Sequence, residues 1–180
     1  MSSGAPVPGI IRAATAADAQ GCLDVYSPYV RDTAISFEAE PPTVGEMARR
    51  ITEAVRTHAW LVLEDRGVVA GYAYGGPFMA RAAYRFACTV SVYLAPDRRG
   101  TGAGRALYEA LLARLTERGF RVAMAGIALP NPASEGLHRA LGFEPVGTYR
   151  RVGWKHGTWH DVAWSQRFLS TDGGPPGELR

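Results

Sequence analysis

The chain has 180 residues, 47% of them apolar, and a formal charge of +3 from 20 Lys and Arg against 17 Asp and Glu. That length fits one domain whose core can stand without disulfide or metal staples. The arginines are spread along the chain, which suits an anionic cofactor better than nucleic acid; no run nears the ~18 apolar residues of a membrane span, and no basic start followed by an apolar stretch marks export.

In chain order, Met1 to Gly9 is small and Pro-containing and reads as a flexible tail. Residues 10–169 form one continuous globular pattern, and 170–180, with GGPPGELR, read as a disordered end. Ile10 to Ala13 is a first strand. Thr15 with Asp18 three residues on starts a helix running toward Val30. Thr43 and Glu46 cap a second helix ending near Thr57. Trp60–Glu64 and Val68–Tyr74 flank an EDRG turn and make a hairpin. Cys88–Leu94 is the next strand, followed by a helix from about Gly102 to Arg118 that Gly119 stops. Val122–Ala128 is a strand, 131–141 a short helix ending before Gly142, and Thr148–Gly153 with Trp159–Phe168 a closing hairpin. This order predicts an α/β fold, a mixed and mostly antiparallel sheet with helices on both faces.

The most informative segment is VSVYLAPDRRGTGAGRALY, 90–108. An apolar strand through Val90, Val92 and Leu94 breaks at Pro96 and enters a turn rich in Arg and Gly that opens into a helix. Gly100, Gly102 and Gly104 let the backbone tighten and approach a ligand, and the first N–H groups of the helix lack intrahelical partners. With the helix dipole and Arg98, Arg99 and Arg105, these donors suit a pyrophosphate. A Walker loop would need Gly-Lys-Ser/Thr, whereas Gly104 is followed by Arg105 and Ala106. A Rossmann fingerprint would need an acid about 20 residues on, and 120–124 holds none.

The spacing Arg99, two residues, Gly102, one residue, Gly104, helix resembles motif A of the GNAT family of acyl-CoA-dependent N-acyltransferases. The resemblance implies that Arg99, Gly100, Thr101, Gly102, Ala103, Gly104 and Arg105 hold the CoA pyrophosphate. It also implies a splay of adjacent strands after the motif strand, where Val92, Tyr93 and Leu94 meet the pantetheine arm. NPASEGLHRALGF, 131–143, carries the same likeness, with Asn131 and Ser134 on the pantetheine side and His138 beside the thioester. Asn131 or Ser134 is equally suited to capping that helix, and His138 to a structural role.

Within the family, TAISFEAEPPT (33–43), GYAYGGPFMARAAY (71–84), LHRALGF (137–143) and VGWKHGTWHDVAW (152–164) are similar to the phosphinothricin and methionine-sulfone N-acetyltransferases. This implies acetyl-CoA as cofactor, a small-molecule primary amine as acceptor, and a homodimer. Phe37, Glu38, Tyr72, Tyr74, Arg81 and Tyr84 are the candidate acceptor residues, although Tyr72 and Tyr74 also suit strand packing and Glu38 a solvated loop. Trp154, Trp159 and Trp164 suit core or dimer packing. His156 and His160 have no third ligand nearby, so no metal is expected. Cys22 and Cys88 make no disulfide framework, which fits a reducing cytoplasm.

Aminolysis of a thioester requires no protein nucleophile, but an ammonium of pKa near 10.4 must lose its proton, at about 4–5 kcal/mol at pH 7. The subfamily places a glutamate on the motif strand for this purpose. Here Thr89 takes that position, leaving Glu38, His138 or a water as candidate base. Met79 stands where many relatives carry an arginine for a substrate anion, which favours a less anionic acceptor. A CoA-binding module without transfer is the alternative that Thr89 raises.

Overall fold

Local signals set most element boundaries in the computed structural model, which describes residues 9–180. Of the expected N-terminal tail, all but Gly9 lies outside the described residues. After β1 (Ile10–Ala13), a 3-10 turn at Ala16–Asp18 leads into α1 (Ala19–Asp32). Asp18 accepts from the Thr15 N–H at 2.8 Å and pairs with Arg12 at 2.7 Å, which holds its carboxyl below the usual range. In α2 (Val44–Thr57) the Thr43 hydroxyl accepts from the Glu46 N–H at 3.2 Å, the predicted cap. β2 (Ala59–Asp65) and β3 (Val68–Pro77) form the hairpin, β3 running three residues beyond Tyr74.

β4 (Ala87–Leu94), α3 (Ala103–Glu117), β5 (Val122–Ala128) and α4 (Pro132–Ala140) follow. The closing hairpin is β6 (Glu144–Lys155) and β7 (Thr158–Phe168). β6 begins earlier than the predicted Thr148, because Glu144 and Pro145 pair with Gln166 and Ser165 across an irregular register. Proline and glycine there hide a strand that long-range pairing imposes.

The seven strands lie in the order β1-β2-β3-β4-β5-β7-β6, antiparallel except for β4 with β5. Period-two alternation sorts their side chains between two cores. Leu61, Leu63, Ala73, Cys88 and Val90 face α3, whose Leu107, Leu111 and Leu115 recur every fourth residue and are fully buried. Each such leucine stabilises the fold by roughly 2 kcal/mol. Trp60, Val62 and Tyr72 face α1 and α2, against Cys22, Val30, Met47 and Ile51.

One discontinuity in the sheet matters for function. The β4–β5 ladder pairs only Ala87, Cys88 and Thr89 with Val122, Ala123 and Met124. Beyond Thr89, β4 stays with β3 as far as Leu94, and β5 stays with β7 as far as Ala128. The middle of the sheet therefore opens into a wedge. The C-terminal segment 171–180 carries no helix or strand, and the Arg180 N–H donates to the Arg118 carbonyl at 3.0 Å.

Candidate active site

The wedge leads directly to the glycine turn. Gly100 and Gly102 have φ of +74° and +88°, the left-handed region that glycine enters without strain. The first α3 bond runs from the Ala106 N–H to the Gly102 carbonyl, so the N–H groups of Ala103, Gly104 and Arg105 have no partner within the helix. A Cβ on Gly104 would stand 3.4 Å from both Leu94 and Leu137, so its absence lets the helix start close to β4 and α4. A cleft of about 470 Å³ lies against this turn, lined by Tyr29, Val92, Leu94, Arg99, Gly100, Gly102, Gly104, Arg105, Asn131 and Ser134. Thr101 closes the turn by donating to the Arg98 carbonyl at 2.8 Å.

The three arginines of the turn separate in space. Arg99 lies over the Tyr29 ring at 4.9 Å. Arg105 is exposed and pairs with Glu109 at 2.8 Å. Arg98 differs from its expected role, because its guanidinium turns back to Asp65 on β2 and does not line the cleft. The backbone of Leu94, expected to meet the pantetheine arm, is engaged within the protein: the Tyr29 hydroxyl donates to its carbonyl at 2.7 Å and accepts from its N–H at 3.3 Å. Val92 points its side chain to the same face as Leu94, while Tyr93 is half-buried on the opposite face among Tyr26, Tyr29 and Tyr72.

At the α4 entrance Asn131 accepts the Ser134 N–H at 3.1 Å, so it caps the helix and lines the cleft together. His138 is 4% exposed and both ring nitrogens are engaged. Nδ1 lies 2.8 Å from the Ser134 carbonyl, which can only accept, so Nδ1 carries the proton and Nε2 accepts from the Tyr108 hydroxyl at 3.1 Å. Burial pushes the imidazole below its ordinary pKa of 6.5, which keeps it neutral. His138 nevertheless borders the wedge, beside Ser91 and Tyr93.

On the α1/α2 face a second opening is lined by Ser36, Phe37, Glu38, Thr89, Ser91, Tyr93, Gly126 and Trp164. Thr89, the last β4 residue paired with β5, sits at the apex of the wedge and donates to the Gly76 carbonyl at 3.3 Å. Glu38 is held on two sides, accepting from Tyr26 at 2.9 Å and from Arg50 at 2.6 Å. Phe37 rests on β6, where a Cβ on Gly153 would stand 2.2 Å from its ring. Tyr72 and Tyr74 share the sheet face but line a neighbouring cavity, stacked on Trp60. Arg81 and Tyr84 are exposed and line neither opening, although Tyr84 meets Phe78, which meets Trp164.

Sequence reading missed the support behind Phe37 and Glu38. Lys155 is buried and its ammonium donates to the carbonyls of Val30 and Ser36, both at 2.6 Å, while burial lowers its pKa. Ser36 in turn hydrogen-bonds Tyr26 at 2.6 Å. Gly126 was also overlooked; a Cβ there would stand 3.1 Å from the Trp164 indole that walls the opening. The sequence signal for this support is Lys155, the single lysine among the tryptophans and histidines of 152–164, with Gly153 two residues before it. Among the described residues no three His, Cys, Asp or Glu side chains gather as a metal site.

An anion cradle that opens into a strand gap is the plan of an acyltransferase that works on a phosphorylated coenzyme. A family model described as an acetyltransferase (GNAT) domain matches residues 11–164, and the chain belongs to this family. It is 41% identical over 157 residues to a phosphinothricin N-acetyltransferase of Streptomyces viridochromogenes, covering 87% of this chain and 86% of that protein. To an L-methionine sulfoximine/L-methionine sulfone acetyltransferase of Pseudomonas aeruginosa it is 39% identical, covering 87% and 92%. A phosphinothricin acetyltransferase of Sinorhizobium meliloti, solved in complex with acetyl-CoA, superposes with a TM-score of 0.90 at 40% identity, covering 94% of each chain.

Proposed function

We propose that this protein transfers the acetyl group of acetyl-CoA to the primary amine of a small, amino-acid-like molecule. The observation that carries the reading is the continuity of the glycine turn at 100–104 with the wedge between β4 and β5. The unpaired N–H groups of Ala103, Gly104 and Arg105, with Arg99 and Thr101 at the rim, are assigned to the coenzyme's diphosphate. Val92, Tyr93, Leu94, Asn131 and Ser134 are assigned to its pantetheine arm. Acetyl-CoA supplies an acyl group already activated as a thioester.

The chain's own work is then to present an uncharged amine. Thr89 accepts no proton usefully near pH 7, and His138 has both nitrogens occupied. Glu38 is the carboxylate that lines the acceptor opening, and it is assigned the amine as anchor and, through water, as proton acceptor. Phe37 and Trp164 line that opening with aromatic surface. A less anionic acceptor than phosphinothricin suits it, since no cation lines it among the described residues.

Transfer is tested by following free-thiol release from acetyl-CoA with methionine sulfone, phosphinothricin and simple amino acids. Glu38→Gln is expected to raise the amine KM at least about tenfold, as loss of a charged hydrogen bond does, and to leave the acetyl-CoA KM in place. Tight acetyl-CoA binding with no transfer to any amine would instead favour a coenzyme-binding sensor. A homodimer is supported by Tyr149, Val152, Trp154 and Trp159, which are more than half exposed on the edge hairpin β6–β7; Trp154→Glu is expected to give a monomer by light scattering. Two buried free thiols, Cys22 and Cys88, each pushed up to about 12 by burial, accord with a reducing cytoplasm.

A further inference from the structure

Behind the acceptor opening, on the same face of the sheet, lies a separate cavity of about 210 Å³. Its floor is a stack of three aromatic rings: Trp60 lies 4.4 Å from Tyr74 and 5.1 Å from Tyr72, with the planes within 16° of parallel. Met47 and Ala54 of α2 form its wall. Tyr26 borders both this cavity and the acceptor opening. The Glu38–Arg50 pair stands between them, with Glu38 lining the opening and Arg50 lining the cavity.

We propose that this cavity is a side-chain subsite of the acceptor, and that the acceptor is an α-amino acid with an aromatic or large apolar side chain whose carboxylate is read by Arg50. The proposal rests on the N-acetyltransferase reading above. Arg50 grips both oxygens of Glu38, at 2.6 and 3.2 Å, which is the forked geometry a carboxylate ligand needs. An amino acid carries both charges required to divide that pair. Its carboxylate takes the place of Glu38 on the guanidinium, and its amine takes the place of Arg50 on Glu38.

The chemistry of the cavity then chooses the side chain. An apolar cavity of about 150 Å³ accommodates a benzene, so this one has room for a ring against the stacked floor. The floor and the α2 wall are aromatic and aliphatic, so a ring lying between Trp60 and Met47 gains contact where a phosphinate or sulfone would give up part of its water. Arg49, also at the rim, commits its fork to Glu46 at 2.8 and 2.9 Å, whereas Arg50 gives Glu46 only its Nε, at 3.0 Å, and turns its two terminal nitrogens to Glu38.

The test compares kcat/KM, with acetyl-CoA, for phenylalanine, phenethylamine and methionine sulfone, in the wild-type protein and in Ala54→Trp and Arg50→Gln. Phenylalanine is expected to exceed both other acceptors at least tenfold. Ala54→Trp, which fills the cavity from a half-buried helix position, is expected to lower the phenylalanine value at least tenfold with the acetyl-CoA KM unchanged. Arg50→Gln is expected to erase the preference for phenylalanine over phenethylamine. A preference for methionine sulfone, together with no effect of Ala54→Trp on phenylalanine, overturns the subsite. If no amine is acetylated, the transferase reading fails, and calorimetric titration with phenylalanine still decides the subsite: binding that Ala54→Trp abolishes supports it, and absence of binding overturns it.

Discussion

Gly102 joins two demands at one residue: a backbone at φ +88° and an approach to whatever the α3 amides hold. Gly102→Val forces a branched side chain into the left-handed region, at about 1–2 kcal/mol, and puts it beside the free N–H groups. The acetyl-CoA KM is expected to rise at least about tenfold, the size of a lost charge-assisted contact; calorimetry that finds CoA affinity unchanged would refute the cradle. Thr89 is the opposite case, a position where the side chain lacks a useful function. A carboxylate restored by Thr89→Glu would stand at the apex of the wedge, beside the acceptor opening, and general-base catalysis typically contributes ~10²-fold or more. Acetylation of alkylamine acceptors near pH 7 is expected to accelerate, and a rate that stays flat would assign acceptor choice to the shape of the opening.

Among the elements, what was legible in the sequence was what short-range chemistry decides. Thr43 with Glu46, Asn131 with Ser134, and the stop at Gly119 each act within a few residues, so helix ends were read closely. The glycine turn was legible for the same reason. The wedge was not, since it depends on how far β4 and β5 pair, and neither strand's residues encode where pairing stops. Nor was the loop at 33–38 legible as a built part of the site. Lys155 reaches carbonyls 119 and 125 residues away, and Arg50 comes to Glu38 from another helix. Gly153 offers the direct test of that loop: the methyl of Gly153→Ala would meet the half-exposed Phe37 ring at 2.2 Å, so the ring must leave its seat on β6. The amine KM is expected to rise several-fold while the acetyl-CoA KM holds; equal effects on both would detach the loop from acceptor binding.

For the molecule as a whole, acid is expected to weaken the fold in two stages. Burial holds His58 and His138 below 6.5, so the unfolded chain binds protons before the folded one does as pH falls. Their contribution is complete above about 6.5 and declines as pH drops from there toward their folded values. Asp18, lowered by its pairing with Arg12, holds its share until the carboxylate range is reached. Urea midpoints measured from pH 8 to 2 check both stages, and His58→Phe, which keeps the stack on Phe120, is expected to shrink the first decline. A midpoint that does not move between pH 7 and 5.5 would contradict it.

The interruption between β4 and β5 also divides the protein's rigidity. Among the described residues, the ladder between the half-sheet β1–β4 and the half-sheet β5–β7 is three pairs long, with the Arg121 N–H donating to the Phe86 carbonyl just before it. A coenzyme whose amides supplied the missing rungs would act as mortar between two slabs, and at 100 times its dissociation constant any native-state ligand adds about 2.7 kcal/mol. Amide exchange slowed on both slabs at once, far from the diphosphate, would be the mark of a bound molecule that finishes the architecture it enters.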